Sequence, residues 1–243
     1  MPAWNAEKTI KESLNSVIAQ TFEDWELIVI NDASQDKTAD IIQMAAENDP
    51  RIILLTNETN RGIAYSRNRG VAHAKGDWLA FLDSDDLWRK EKLEKQLRFM
   101  EEMGALISYT ATSYMNASGE MYDYTLRAEK KLTYKALLKK NLMSCSSVMV
   151  WRDEMISFPY GELHEDYAVW LVIVRKVGYA YGLDEPLLVY RLAPGSKSSK
   201  RISSAMMTYN AYSLAGYGAG VLMTLRYALH SIGKRFKIRG SYK

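Results

Sequence analysis

Glu26-Leu-Ile-Val-Ile-Asn-Asp-Ala-Ser-Gln-Asp36 opens on a short, β-branched apolar run and ends in a polar turn. Such a run between turn residues reads as a strand buried on both faces, as in a parallel sheet. Upstream, Ile10, Leu14, Val17 and Ile18 recur at helical spacing, which predicts an amphipathic helix over 6–20 with Asn5 as its cap. Downstream, the pattern predicts a helix near 37–47, a strand at Ile52-Ile-Leu-Leu55, a helix over 62–74, a strand over 77–82 and a charged helix over 89–103. Strand and helix alternating at this interval predict βαβ units and a mostly parallel, Rossmann-like α/β sheet with helices on both faces. Ligands of such sheets gather where the carboxyl ends of the strands converge.

After Gly104 the pattern loosens. Strands are expected at 105–110, 146–150 and 187–191, and a helix over 164–176. The expected division is a main domain over 1–200, in two halves (1–110 and 111–200), followed by a basic helical tail over 201–243.

Composition supports an ordinary globular protein: 243 residues, 47% hydrophobic and 25% charged, which is enough chain for a substantial core. A disulfide framework is excluded, because Cys145 is the only cysteine; a lone thiol suits a reducing compartment and a place in the core. The net charge of +3 hides an asymmetry, since residues 186–243 hold ten Lys or Arg and no acid, whereas residues 1–185 sum to −7. A basic tail on an acidic body predicts contact with something anionic. The polar start predicts no secretory signal. The uncharged stretch from Ile202 to Leu225 carries Ser203, Ser204, Thr208, Asn210, Ser213 and three glycines, and is too polar to be read as a membrane span.

The chemistry concentrates in Leu82-Asp-Ser-Asp-Asp86, where an apolar strand delivers three carboxylates at its end. Carboxylates this close repel one another, and a hard divalent cation, Mn²⁺ or Mg²⁺, would offset that repulsion. A solvated acidic turn before a helix is the plainer alternative. Asp32 ends another strand, so the two acidic ends are expected to share a pocket, unless Asp32 only bonds its own turn. Asn60-Arg-Gly62 and Ser66-Arg-Asn68 bring Arg61 and Arg67 to the same region, Arg67 as a phosphate or base contact or as a solvated helix residue.

Together with Pro2-Ala-Trp-Asn-Ala-Glu7, Ser16 and Gln20, these segments occur in the order and spacing of the family 2 glycosyltransferases, which the sequence resembles closely over 2–110 and more loosely to Arg191. The resemblance implies a GT-A fold and an inverting, metal-dependent hexosyl transfer from a nucleotide sugar, commonly UDP-linked. It implies nucleotide-sugar contacts at Pro2, Asn5, Glu7, Asp32 (uracil), Arg61, Arg67, Asp83 and Arg191, and metal ligation by Asp83 and Asp85. It places the catalytic base in the Glu165-Asp166 pair, with Asp166 as the base and Glu165 and Trp170 on the acceptor; capping of the helix is the structural alternative for Asp166. His164 is expected to be a supporting or surface residue. Arg191 and the loop Gly195-Ser-Lys-Ser-Ser199 are expected to fold over the diphosphate.

The expected partners are a glycan or polyprenyl-diphosphate-linked acceptor of surface polysaccharide biosynthesis and an anionic membrane surface, with no nucleic acid. The expected location is cytoplasmic, peripheral at the inner face of the membrane. Leu222, Leu225, Leu229, Ile232 and Phe236 would lie on one helix face, flanked by Arg226, His230, Lys234 and Lys237, as in an interfacial helix. The family has an apolar strand before its proline motif, so a longer natural chain is expected upstream of Met1. Two other readings are a non-catalytic sugar-nucleotide-binding protein at the membrane and a sugar nucleotidyltransferase; the latter would need a Gly-rich basic phosphate loop that the sequence lacks.

Overall fold

The computed structural model describes residues 1–192, 201–214 and 237–238. The elements in chain order are β1 (Pro2–Ala3), α1 (Ile10–Ile18), β2 (Leu27–Asn31), α2 (Thr38–Asn48), β3 (Ile52–Thr56), α3 (Ile63–His73), β4 (Trp78–Ala80), β5 (Leu87–Trp88) and α4 (Lys92–Met103). They continue with β6 (Ile107–Asn116), β7 (Met121–Leu126), β8 (Lys131–Thr133), α5 (Tyr134–Lys139), β9 (Val148–Trp151), α6 (Glu165–Val177), β10 (Tyr179–Leu192) and α7 (Arg201–Leu214).

The strand read from Glu26–Ile30 is β2. All five of its residues are buried, because it lies between β1 and β3 and pairs with both in parallel. The first half therefore follows the βαβ expectation. The rest does not keep to a parallel pattern. A seven-stranded sheet runs β4-β9-β6-β10-β5, with β7 on β6 and β8 on β10, and only the β6–β10 pair in it is parallel. The short β7 and β8, six and three residues long and with exposed residues in each, are too short and too polar to stand out in a reading based on hydrophobic period.

Two features of this half aim side chains. The chain leaves α4 through Gly104 (φ 56°), with Gly104 N donating to Glu101 O and Ala105 N to Met100 O, a Schellman ending that turns it directly into β6. Alternation along β6 then sends Ile107, Tyr109 and Ala111 into the larger apolar core and Ser108 toward α4. On β10, a side chain at Gly182 would lie 2.3 Å from Glu129 O, so only glycine admits the neighbouring backbone.

The border expected at residue 200 does not divide the core. On α7, Ala211 and Tyr212 join the core of the main unit, and the Tyr212 hydroxyl donates to Leu138 O at 2.6 Å. The proposed interfacial stripe from Leu222 to Phe236 and the loop 195–199 lie outside the described residues. Among the described residues, no helix is long and apolar enough to cross a membrane.

Candidate active site

The loops after β1 and β2 are laced together at the carboxyl edge of the parallel sheet. Asn5 N donates to Ser34 Oγ (3.0 Å), and Asn5 Oδ1 accepts from Gln35 N (2.9 Å). Glu7 N donates to Asp36 Oδ2 (3.1 Å), and Glu7 Oε2 accepts from Lys37 N (3.2 Å). Both loops use left-handed backbone at residues other than glycine, Asn5 (φ 47°) and Ala33 (φ 57°). Asparagine tolerates that region; alanine adopts it at a steric cost. Pro2 sits in β1 opposite Ile30 and serves the sheet.

Asp32 follows β2 and is buried. Its Oδ1 accepts from Asn57 Nδ2 (2.7 Å) and Arg61 N (2.9 Å), and its Oδ2 accepts from Gly62 N (2.8 Å). A carboxylate offers about four acceptor positions, so one on Oδ2 remains for a further donor. The same contacts fix the start of α3 at Gly62. Arg61 lies over the Tyr65 ring, 4.5 Å from its centroid.

One turn along α3 comes Arg67. Its side chain is only 3% exposed, with Nη2 on Asp83 Oδ1 (2.7 Å) and Nη1 on Glu165 Oε1 (3.0 Å). Burial opposes its charge, but Asp83, Glu165 and Asp166 outweigh that and hold the guanidinium cationic. Arg67 is thus a buried bridge between the acidic turn and the start of α6, which sets aside the solvated alternative.

The three carboxylates of the acidic turn differ. Asp83 is held by Arg67. Asp86 points inward, accepting from Ser146 Oγ (2.6 Å) and Arg191 N (2.9 Å), and burial with Asp85 and Asp83 nearby pushes it well above the usual carboxylate range. Asp85 is half-buried, and among the described residues no other residue donates to its carboxylate; burial and then Asp83 push it up to about 6, although its own backbone N–H and Arg191 pull the other way. A partly desolvated carboxylate with no donor from a neighbouring side chain, beside a second carboxylate, suits a divalent cation that takes one or two protein carboxylates and completes its shell with phosphates and water. No group of three or more His, Cys, Asp or Glu converges among the described residues, so Asp83 and Asp85 would have to share that task with a ligand.

Arg191 is buried as well. Its guanidinium is fixed behind the turn, with Nε on Asp85 O (2.9 Å) and Nη2 on Glu12 Oε2 (2.6 Å), and its side chain is 5% exposed. In this position it braces the turn from behind.

Glu165 and Asp166 open α6. Glu165 is held by Arg67, while Asp166 Oδ1 accepts from Tyr167 N at 2.8 Å. Burial, then Glu165, raise the Asp166 carboxyl above its ordinary value, although Arg67 and His164 pull the other way. His164 is the N-cap residue of α6 without a side-chain capping bond. Trp170 is not at an acceptor surface: it is fully buried against Phe81 and Phe158, at 5.7 and 6.1 Å between centroids. Helical spacing four residues past Asp166 put it on the inner face.

Three supporting residues are absent from the sequence reading. Ser146 accepts from Asp83 N (3.1 Å) while its hydroxyl donates to Asp86, Asn57 holds Asp32, and Glu12 holds Arg191. Ser146 lies in the run Ser144-Cys-Ser-Ser147, distant in sequence from the turn it supports and without a motif of its own. Its neighbour Cys145 is buried, and burial pushes its thiol well up, as expected of a core cysteine.

The sequence model of glycosyl transferase family 2 matches residues 1–157. The putative teichuronic acid biosynthesis glycosyltransferase TuaG of Bacillus subtilis is 39% identical over 213 residues, covering 87% of this chain and 84% of TuaG. WfgD of Escherichia coli, named a UDP-Glc:alpha-D-GlcNAc-diphosphoundecaprenol beta-1,3-glucosyltransferase, is 36% identical over 203 residues, 83% of this chain and 79% of WfgD. Among solved structures, S. aureus TarS 1–349 in complex with UDP-GlcNAc superposes with a TM-score of 0.71 at 21% identity, over 92% of this chain and 67% of that one. The mannosyltransferase PcManGT from Pyrobaculum calidifontis, in complex with GDP-Man and Mn²⁺, superposes with a TM-score of 0.67 at 19% identity, over 94% of this chain and 66% of that one. The chain thus spans about two thirds of each of these structures, and the likeness is one of GT-A fold.

Proposed function

The chain belongs to glycosyl transferase family 2, and from that premise we propose that it transfers a hexosyl group, with inversion, from a UDP-sugar to a polyprenyl-diphosphate-linked glycan. The product would enter surface polysaccharide. The observation that carries this reading is the Arg67 bridge, which ties the acidic turn and the start of α6 to one guanidinium. A donor-side acid and an acceptor-side acid within reach of one buried cation suit a single displacement across one cleft.

The roles follow from the contacts. The remaining acceptor position of Asp32 suits the imide N–H of uracil, with Asn5, Glu7 and Arg61 on the loops around the base. Asp83 and Asp85 would hold Mn²⁺ or Mg²⁺ at the diphosphate. When bound, such an ion offsets the charge that develops on the departing nucleotide. Asp166, as carboxylate, takes the proton of the acceptor hydroxyl while the hydroxyl oxygen bonds to the anomeric carbon from the face opposite UDP and the bond from that carbon to the UDP oxygen breaks. Glu165 stays with Arg67 and keeps the start of α6 in place.

The donor and acceptor named for WfgD and, in the same words, for E. coli WfaP, 33% identical over 236 residues, support UDP-glucose and a GlcNAc-diphosphoundecaprenol acceptor as the first pair to try. An acceptor of that kind fits a peripheral position at the inner membrane face, with the basic segment toward anionic lipid. The test is UDP release from a panel of UDP-sugars with Mn²⁺, with and without that acceptor. Acceptor-dependent release for one donor is expected; no release above the hydrolysis blank for any donor would overturn the reading.

A further inference from the structure

Behind the acidic turn, four buried polar atoms line the contact between α4 and β6 without a hydrogen-bond partner among the described residues: Lys92 Nζ, Gln96 Oε1, Thr110 Oγ1 and Thr112 Oγ1. Their residues are at most 1% exposed. Pairing gives them a common face. Gln96 Nε2 donates to Ser108 Oγ (2.9 Å) and Ser147 O (3.1 Å), so its oxygen is the atom left over, and Ser108 marks the face of β6 turned to α4. Thr110 and Thr112 follow Ser108 at steps of two and share that face. Lys92 is one helical turn from Gln96 on the same side of α4, and its Nζ stands 4.0 Å from the centroid of the Trp88 ring. Trp88 lies opposite Leu188, and Leu188 opposite Thr112, so one row across the sheet runs from the ring under Lys92 to the threonine hydroxyl.

Left dry, these groups would each lose hydration with nothing in return, and burial alone already pushes the Lys92 ammonium down to about 7. Valine in place of the two threonines would have the same shape without that loss. The chemistry of the wall selects the occupant. A cation is repelled by Lys92, and an anion, having no hydrogen to donate, would leave Gln96 Oε1 unpaired. Water both donates and accepts, and buried water typically serves such otherwise unsatisfied groups.

We propose that these buried groups are hydrated in the folded protein, and that the hydrated Lys92 ammonium positions the acidic turn through Trp88 and Ser146. A cation over an indole face is attracted to the ring and makes its N–H a stronger donor. Trp88 Nε1 donates to Ser146 O (2.7 Å), and the Ser146 side chain in turn holds Asp86 Oδ2 and Asp83 N. Lys92 is therefore a positioning residue, acting on the turn from behind through two intermediates. Its consequence for nucleotide binding rests on the function proposed above, whereas hydration and the indole bond are measured without nucleotide, so either idea can fail alone.

The first test is a crystal structure of the full chain at a resolution that shows water. Ordered water is expected within hydrogen-bonding distance of Lys92 Nζ and of Thr112 Oγ1. Absence of that water, or Lys92 bonded directly to Gln96 or a threonine, would overturn the hydration. The second is amide and indole hydrogen exchange on Lys92→Met, which keeps the length of the side chain and removes its charge. The Trp88 indole N–H is expected to exchange at least about tenfold faster than in the wild type and its NMR resonance to move, while exchange in β2 stays slow and reports that the fold is intact. Unchanged indole exchange in folded Lys92→Met would overturn the positioning role. Should that variant not fold, Thr112→Val provides the remaining arm: loss of the bound water is expected, and retention of the same water would overturn the assignment of the wall.

Discussion

Arg67 Nη2 lies 2.7 Å from Asp83 Oδ1, and the other arm of the same guanidinium reaches Glu165 Oε1 at 3.0 Å. A residue on α3 thus sets the spacing between the acidic turn and α6. Removing a partner from a buried ion pair leaves uncompensated charge, at about 3–5 kcal/mol. Arg67→Met is expected to lose about 3 kcal/mol in urea denaturation. Arg67→Lys, a single point donor, is expected to restore part of the stability and little of the turnover, because it cannot hold both acids at once.

Asp85 and Asp86 are adjacent, but their surroundings set them apart. Asp85→Asn is expected to fold normally and to weaken Mn²⁺-dependent UDP binding at least about tenfold in calorimetric titration. Asp86→Ala leaves the Ser146 hydroxyl and the Arg191 amide without their acceptor, a loss of about 1–3 kcal/mol that thermal unfolding would read. Equal effects of the two substitutions on UDP affinity would argue against this division.

The raised pKa of Asp166 carries a sign. The working form of a base is the carboxylate, so kcat/KM is expected to rise with pH through a value above the ordinary aspartate pKa, and to fall in acid. Its effect on stability is the reverse. A carboxyl whose folded pKa exceeds its unfolded value contributes stability below the unfolded pKa, and this is lost as pH rises through the folded pKa. Asp166→Asn should therefore remove the acidic limb of the rate profile and lower turnover about 10²–10⁴-fold, the usual worth of a positioned base.

Ala33 holds a left-handed backbone (φ 57°) that costs alanine about 1–2 kcal/mol, partly offset by the greater unfolded-state freedom of glycine. Ala33→Gly is accordingly expected to stabilise the protein by about 0.5–1 kcal/mol in denaturant titration, with UDP affinity unchanged.

What the sequence reveals of this architecture is local. The apolar run of β2, the stripe of α1 and the carboxylates after β4 are each legible within a few residues, because burial on a sheet and spacing on a helix leave periodic marks. The brace around the acidic turn is not. Ser146 lies 60 residues from Asp86, Arg191 lies 105 residues from it, and Arg67 is 98 residues from Glu165. No period connects such pairs, so the sequence around Arg67 offers a ligand contact or a solvated residue and gives no sign of the two carboxylates that the guanidinium holds. Trp170 shows the converse error: beside a candidate base it invites a functional role, although the spacing along α6 sends it into the core.

In the proposed mechanism, Asp166 removes the acceptor proton in a cleft whose donor side is organised by Asp83 and Asp85. The most direct measurement is single-turnover transfer from UDP-glucose to GlcNAc-diphosphoundecaprenol with saturating Mn²⁺, comparing the wild type with Asp166→Asn after their UDP affinities have been matched by titration. The account predicts equal UDP binding, with transfer slower by at least about a hundredfold in the variant. Transfer at the wild-type rate by Asp166→Asn would contradict it.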